Sequence, residues 1–283
     1  MQIVSWNIQA AKGVDDRVSV ERIAETVQSF GDTDVICFQE VLCDDGAAVL
    51  GNREQVGALS ACFPDHLAFY GSAIDRLSEG GRLRFGNLAL CRLPMLQCVM
   101  HKLPQPADAA ARYMPRQALE LLVDDGLEPL RIVSTHLEYF SARQRRAQVG
   151  YFARLNSDSE SRAFGPPPGG GEGQFAALPE TARSLYCGDF NLTPHSDDYR
   201  ALVDADAGAG LVDCWARLHP DVPHASTCGI FDHVQWPEGA HCRDYFFASK
   251  ALAPQVSGMR VDTETKASDH QPIALTLSGS PPA

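Results

Sequence analysis

The chain has 283 residues, of which 45% are hydrophobic and 21% charged, a composition typical of globular domains that build their own core. No apolar run reaches the roughly 18 residues that a membrane-spanning helix needs, so the sequence predicts no such helix. The net charge of -12 argues against a protein that coats nucleic acid by charge alone. Basic residues are nevertheless concentrated in two stretches, residues 75–116 and 141–154.

Short apolar runs bounded by polar residues predict β-strands along the whole chain. Several of these runs are apolar at consecutive positions, so we expect central strands that are covered on both faces. In chain order, the predicted strands are residues 3–6, 35–38, 88–91, 118–123, 130–135, 185–187, 245–248 and 273–277.

Three stretches are predicted to be helical. The first has one apolar face and Ser19 as its N-cap, the second covers about residues 141–155, and a weaker one covers residues 53–61. The apolar face of the first helix carries Val20, Ile23, Ala24, Val27 and Phe30.

One segment, GPPPGGGEG at residues 165–173, is rich in proline and glycine. We interpret it as part of a surface loop of about residues 157–178 and not as a domain linker, because the strands on both sides carry parts of one motif set. Residues 278–283 are predicted to be a frayed tail. The sequence therefore predicts a single domain over residues 1–283.

The cysteines indicate a reducing compartment. There are nine, an odd number, and no pair has Cys-x-x-Cys spacing. Cys37, Cys91 and Cys187 lie inside apolar runs, where a free thiol behaves as a small core residue. The first residues show no charged leader followed by a long apolar segment. We therefore predict reduced thiols and a cytoplasmic protein.

Polar groups directly adjoin six of the apolar runs, where functional side chains can reach both solvent and ligand. Each of them alone has a structural explanation, such as a turn or a helix cap. Together they supply hard oxygen ligands for Mg²⁺ or Mn²⁺ and groups that move protons or bind anions. No zinc-type spacing and no G-x-S-x-G motif occur. The six groups are Ser5-Trp6-Asn7, Phe38-Gln39-Glu40, Ser134-Thr135-His136, Gly188-Asp189-Phe190-Asn191, Arg243-Asp244-Tyr245 and Ser268-Asp269-His270.

The ordered motifs resemble the endonuclease/exonuclease/phosphatase superfamily. That family includes deoxyribonuclease-I-like nucleases, apurinic endonucleases, sphingomyelinases, inositol polyphosphate 5-phosphatases and tyrosyl-DNA phosphodiesterases. The resemblance implies an α+β fold, a four-layer α/β/β/α sandwich in which two mixed β-sheets pack face to face with helices outside. The motifs that carry it are WNI (6–8), QE (39–40), THL (135–137), GDFN (188–191), DYFF (244–247) and SDH (268–270).

The resemblance also implies which residues hold a metal and a water molecule. Glu40 would hold the divalent ion, Mg²⁺ or Mn²⁺, with Asp269 and Asn7 nearby, and one or two ions remain open. Asn7 is expected to serve the substrate as well. Asp189 would orient or deprotonate the attacking water, and Asn191 would position that water or the phosphate.

Further residues are implied to act on the phosphate. His270 would contact the phosphate or transfer a proton, and Asp244 would accept a hydrogen bond from its other ring nitrogen. His136 would donate to a non-bridging oxygen, where charge develops during the reaction. Arg116 falls where some members place a phosphate-contacting side chain, although a plain surface arginine is an equal alternative.

We therefore predict a divalent-metal-dependent hydrolase of phosphoester bonds, a phosphodiesterase or phosphatase that uses in-line attack by water. A DNA or RNA nuclease of the same superfamily is the alternative, and a catalytically silent binding module is the third. Gln9 and His136 depart from the residues of repair and apurinic endonucleases, which favours the first.

The sequence leaves open whether the substrate is a small molecule, a lipid head group or a nucleic acid, and which residue is the general base. No protein partner can be inferred from it. Loops at residues 73–84, 103–114 and 157–178 are expected to set the specificity.

Overall fold

The computed structural model describes residues 1–44, 54–78, 81–165, 172–176, 178–204, 206 and 208–279. The strands are β1 (Gln2–Asn7), β2 (Val35–Asp44), β3 (Leu67–Ser78), β4 (Gly81–Cys91), β5 (Met95–Lys102), β6 (Gln117–Asp124), β7 (Pro129–His136), β8 (Ser184–Asp189), β9 (Val212–Asp213), β10 (Asp244–Ala248), β11 (Val256–Val261) and β12 (Ile273–Leu277). The helices are α1 (Val20–Gln28), α2 (Gln55–Cys62), α3 (Ala142–Phe164), α4 (Asp197–Val203) and α5 (Cys214–Leu218).

The strands form two six-stranded sheets. Their orders are β11-β12-β1-β2-β4-β3 and β5-β6-β7-β8-β10-β9. Each sheet has one parallel pair at its centre, β1 with β2 and β7 with β8, and its other neighbours are antiparallel. The ends of these parallel pairs, and the starts of the antiparallel strands β10 and β12 beside them, therefore meet at one end of the molecule.

Successive side chains of a strand point to opposite faces of its sheet, and the buried ones form three apolar cores. In β1, Ile3 packs between the two sheets, whereas the next residue, Val4, packs with the face of α1 that carries Ile23. On the far side of the second sheet, Phe152 of α3 packs against strand residues such as Val133. The layers are therefore helix, sheet, sheet and helix, and the predicted four-layer sandwich is confirmed.

All eight predicted strands are present, and four further strands had no clear sequence signal. β5 (MLQCVMHK) alternates between half-buried and exposed positions, and Gln97 interrupts its apolar residues, while β9 has only two residues. The three predicted helices are also present. The hydroxyl of Ser19 accepts a hydrogen bond from the backbone N–H of Arg22, 3.2 Å away, which confirms the predicted N-cap of α1. Arg53, at the start of the weaker predicted helix, lies outside the described residues.

Helix α3 is longer than predicted, which corrects the start of the 157–178 loop. The helix continues to Phe164, because polar side chains in its second half bond within the helix. Ser159 Oγ donates to the carbonyl of Leu155 at 2.7 Å, and Asn156 donates to Glu160 at 3.2 Å. Residues 166–171 of the Pro- and Gly-rich segment lie outside the described residues.

The two other predicted specificity loops have different outcomes. The segment at 73–84 belongs to the paired strands β3 and β4, apart from residues 79 and 80, which are not described, so its prediction as a loop was wrong. Residues 103–114 are irregular, as predicted.

Cys37, Cys91 and Cys187 are reduced thiols buried in the core between the sheets, as predicted. Among the helices that the structure describes, none combines the length and apolarity required to cross a membrane.

Candidate active site

The predicted site residues gather around a cleft of about 220 Å³ where the parallel strand pairs end. Asn7 and Asp244 are buried directly behind this cleft and reach it through hydrogen bonds. The lining residues are Gln9, Glu40, Met114, Arg116, His136, Tyr139, Phe140, Asp189, Asn191, Gln235, Trp236, Asp269 and His270.

Asn7 at the end of β1 connects the two sheets. Its amide nitrogen donates to Oε1 of Glu40 and to Oδ2 of Asp189, at 3.0 Å in each case. Its amide oxygen accepts the backbone N–H of Gln9 at 3.1 Å. In this arrangement Asn7 draws two carboxylates together and offers them hydrogens, whereas a metal would require its oxygen.

Glu40 is placed by an irregularity in β2. The register between β2 and β4 shifts between Phe38 and Val41, and Glu40 has a φ of +58°, which is rare for a residue with a side chain. The bulge leaves the Glu40 side chain 26% exposed in the cleft. Burial raises the pKa of Glu40, the hydrogen bond from Asn7 opposes this, and the nearby carboxylate of Asp269 raises the pKa further.

Asp269 approaches the same region from the segment before β12. Its Oδ2 accepts the indole N–H of Trp236 at 3.2 Å, and its Oδ1 accepts the hydroxyl of Ser268 at 3.3 Å. Across the described part of the chain, neither Glu40 nor Asp269 forms an ion pair with a lysine or an arginine. Two neighbouring carboxylates that no lysine or arginine neutralises through an ion pair in the described ranges suit a hard divalent cation such as Mg²⁺ or Mn²⁺.

His270 lies between two other carboxylates. Its Nδ1 is 2.8 Å from Oδ2 of Asp244, and its Nε2 is 3.7 Å from Oδ2 of Asp189. All three side chains are buried, and their ligand atoms lie within 4.8 Å of one another, which is also a possible metal-binding arrangement. Burial alone would lower the pKa of His270, but the charges of Asp244, Asp189 and Asp269 outweigh it and raise the pKa well above its ordinary value.

The turn after β8 fixes Asp189. Gly188 has a φ of +130°, and a Cβ at this position would collide with the carbonyl oxygen of Thr135 on β7, so only glycine fits here. Asp189 Oδ1 then accepts the backbone N–H of Asn191 at 2.9 Å, and Asn191 donates its own amide to the carbonyl of Leu137 at 3.0 Å. Burial raises the pKa of Asp189, against the opposing charge of His270.

His136 at the end of β7 bridges the two acidic groups. Its Nε2 lies 3.3 Å from Oδ2 of Asp189, and its Nδ1 lies 3.8 Å from Oε1 of Glu40. Burial, together with the positive charges of Arg116 and His270, holds the pKa of His136 well below its ordinary value. His136 is therefore neutral at pH 7.

The sequence analysis missed several residues that lie in the cleft or directly beside it. Trp236 and Tyr139 lie in irregular segments, and their rings meet edge to face with centroids 5.8 Å apart. The guanidinium of Arg243 lies 4.9 Å from the Trp236 ring centroid. Glu138 is completely buried, and it could have been found because it directly follows the THL motif.

Arg116 is also buried, so the alternative of a plain surface arginine was wrong for it.

The structure therefore defines an α/β sandwich with carboxylates and histidines gathered at one end of both sheets. The model of the endonuclease/exonuclease/phosphatase family matches residues 4–270, and the chain belongs to this family, whose members are generally hydrolytic. A comparison with curated protein sequences gave no significant match.

Solved structures share the fold at low sequence identity. An endonuclease/exonuclease/phosphatase from Beutenbergia cavernae DSM 12333 has 22% identity and a TM-score of 0.67, covering 100% of this chain and 73% of that one. Truncated TDP2 from Caenorhabditis elegans has 18% identity and a TM-score of 0.62, covering 98% and 97%. The human Nocturnin catalytic domain has 18% identity and a TM-score of 0.62, covering 98% and 93%.

Proposed function

We propose that this protein is a divalent-metal-dependent hydrolase of phosphoester bonds, acting as a phosphodiesterase or phosphatase. The observation that carries the proposal is the convergence of Glu40, Asp189 and His270, which Asn7 and His136 connect across the two sheets. Three groups with different tasks thereby face one cleft.

Glu40 and Asp269 are the residues that would hold Mg²⁺ or Mn²⁺, because they are neighbouring carboxylates that line the cleft and form no ion pair with a lysine or an arginine among the described residues. When bound, such an ion neutralises charge on the phosphoryl group and on the leaving oxygen. Asn7 would support Glu40 through its amide N–H and would contact the substrate once the site is filled.

Asp189 and His270 are assigned to the water and the phosphoryl group. Asp189 is held by Asn7 and by the backbone of Asn191, so it can accept a hydrogen bond from water in a fixed direction. His270 is charged, because the carboxylates around it raise its pKa and Asp244 accepts the hydrogen of its Nδ1, and its Nε2 lies 3.7 Å from Oδ2 of Asp189, which lines the cleft. A charged donor at this position binds a phosphoryl oxygen and can supply a proton to the leaving group.

His136, Asn191 and Arg116 complete the anion site. His136 is neutral, so one ring nitrogen donates to a phosphoryl oxygen while the other accepts. Asn191 would position the water or the phosphate beside Asp189. The Nη1 of Arg116 has no partner among the described residues, and a phosphate oxygen would satisfy it.

A nuclease is the second candidate, and the rim of the cleft is the observation that favours it. Phe140 is 46% exposed, and the guanidinium of Arg112 lies 4.1 Å from its ring centroid. Exposed aromatic rings with neighbouring arginines can stack nucleobases. The net charge of -12 favours a small substrate instead, because it repels a polyanion.

The test is a panel of phosphoesters, incubated with Mg²⁺, with Mn²⁺ and with EDTA. Bis(p-nitrophenyl) phosphate, p-nitrophenyl phosphate and a DNA oligonucleotide represent the three substrate classes. We expect metal-dependent hydrolysis that EDTA abolishes, that Asp189→Asn removes, and that needs more Mg²⁺ in Glu40→Gln. Turnover of none of these substrates with either ion would leave the silent binding module as the better description.

Rising salt separates the two enzymatic candidates. Activity on the oligonucleotide that falls steeply with salt favours the nuclease, because bound phosphates release counterions. A flat response on a small phosphoester favours the phosphodiesterase or phosphatase.

Two further proposals concern the chain as a whole. We propose that residues 1–283 form one domain, since both sheets contribute to one cleft. We also propose a cytoplasmic location, since Cys37, Cys91 and Cys187 are reduced thiols in the core.

A further inference from the structure

Glu138 is a completely buried carboxylate beside the cleft. Its Oε2 accepts a hydrogen bond from Nε of Arg116 and another from the backbone N–H of Met114, at 3.3 Å in each case. Its Oε1 accepts the backbone N–H of Phe140 at 2.8 Å. Its own backbone N–H donates to the side chain of Gln148 in α3 at 2.9 Å.

These partners belong to the two irregular segments that flank the cleft. Met114 and Arg116 come from the segment before β6, and Phe140 comes from the segment after β7. A carboxylate is expensive to bury unless charges and hydrogen bonds compensate for the lost water. Glu138 therefore requires both segments to stay in this arrangement.

The Nε edge of the Arg116 guanidinium is hydrogen-bonded, whereas its Nη1 has no partner among the described residues. Its side chain is 5% exposed, its Nε is bonded to Glu138, and its Nη1 is buried with no hydrogen-bond partner among the described residues. The side chain lines the cleft together with Glu40 and His136. A buried guanidinium N–H without a partner is costly, and an anionic ligand in the cleft would relieve that cost.

Glu40 is the competing partner for this guanidinium. It lines the same cleft, and it forms no ion pair with a lysine or an arginine in the described ranges. An arginine that turned towards Glu40 would neutralise the carboxylate that is proposed to hold the metal. The bond from Nε to Glu138 gives the guanidinium a carboxylate partner other than Glu40.

We propose that Glu138 is a positioning residue that holds Arg116 by its Nε edge, so that Nη1 faces an oxygen of a bound phosphate group. The inference rests on the proposed function, because it assigns the anion position of the same site. It concerns Glu138, which does not itself line the cleft and would act on the phosphate group through Arg116.

Binding of inorganic phosphate to the full chain, measured by calorimetry without divalent metal, tests this proposal independently of turnover. We expect Glu138→Gln and Arg116→Ala each to weaken phosphate binding by about tenfold, the usual effect of losing a charged hydrogen bond. The double variant should bind no more weakly than Arg116→Ala, because Glu138 acts through that side chain. With a phosphoester substrate, KM should rise more than kcat falls.

Glu120 offers a matched control. It is a buried glutamate on β6 whose Oε1 accepts Nε of Arg131 at 2.9 Å, and it does not line the cleft. Glu120→Gln should therefore lower the unfolding temperature, as Glu138→Gln does, and leave phosphate affinity unchanged. Equal losses of phosphate affinity in the two variants would show a general loss of structure and overturn the proposal.

Other outcomes also overturn it. These are an unchanged affinity in Glu138→Gln, a further tenfold loss when it is combined with Arg116→Ala, and a wild-type protein that binds no phosphate. If Glu138→Gln does not fold, Arg116→Lys replaces it. It keeps the charge but lacks the Nε edge, so wild-type affinity in this variant would contradict the proposal. If coupling in phosphate binding is found in a protein that hydrolyses no phosphoester, the positioning role stands and the proposed hydrolase function fails.

Discussion

His270 and Asp244 form a buried hydrogen bond in which Nδ1 lies 2.8 Å from Oδ2. The protein contains a second bond of the same type, between His224 and Asp213, with Nε2 2.7 Å from Oδ2. Only the first pair faces Asp189 and the cleft. The second pair caps α5 through Asp213 and accepts the hydroxyl of Tyr199. One pair is therefore suited to catalysis and the other to structure.

Asp244→Asn should lower turnover by about 100-fold, because the neutral amide no longer stabilises the charge of the imidazolium, although its oxygen can still accept the Nδ1 hydrogen. Asp213→Asn is the matched control. It can still cap α5 through its side-chain oxygen, and it should leave turnover unchanged. Steady-state kinetics of the two variants on one phosphoester provide the measurement. Similar losses in both would remove the catalytic assignment of the His270 pair.

Trp236→Phe should weaken metal binding by about tenfold, because the indole N–H that orients Asp269 is lost while the ring is kept. Titration with Mn²⁺, followed by its paramagnetic resonance signal, measures this without substrate. Trp215→Phe serves as the control, since the indole of Trp215 donates to the carbonyls of Val222 and Pro223 outside the cleft. Unchanged Mn²⁺ affinity in Trp236→Phe would argue against Asp269 as a ligand.

Gly188→Ala should destabilise the protein by about 3 kcal/mol and also lower activity, because a Cβ would push β8 away from Thr135 and displace Asp189. Gly126 offers the comparison, since it has a φ of +83° in the turn between β6 and β7 with nothing within 4 Å of an added Cβ. Gly126→Ala should therefore cost only about 1 kcal/mol, with normal activity. Urea unfolding together with an activity assay distinguishes the two; equal effects would contradict the proposed close contact.

Acid should destabilise the protein partly through Glu120. Burial alone would raise the pKa of Glu120, but the hydrogen bond with His101 and the charge of Arg131 outweigh it, so the pKa lies below the ordinary value of 4.5. A carboxyl group with a lowered pKa in the folded state stabilises the fold fully above pH 4.5. That stabilisation is lost as the pH falls through the lowered value.

Glu120→Gln removes this titrating group. The difference in unfolding free energy between wild type and variant should therefore be largest at neutral pH and shrink below pH 4.5. Urea denaturation at a series of pH values from 7 down to about 3 measures the difference. A difference that does not change with pH would contradict a lowered pKa.

Local elements could be predicted from the sequence. Runs of apolar residues marked eight strands, and Ser19 marked the start of α1 with a hydroxyl that does accept the expected backbone N–H group. These features depend on periodicity and on contacts across a few residues, which one chain segment contains completely. The motif residues at the strand ends were found in the same way.

How these residues come together depends on the tertiary fold. Asn7 and Asp189 are 182 positions apart, and their bond exists because β1 and β8 end side by side in packed sheets. The hydrogen bonds from Trp236 to Asp269 and from Arg116 to Glu138 also join segments that are distant in the sequence. Sheet order and packing depend on the whole set of long-range contacts, whereas a sequence pattern reports only what lies within one strand or one helical turn.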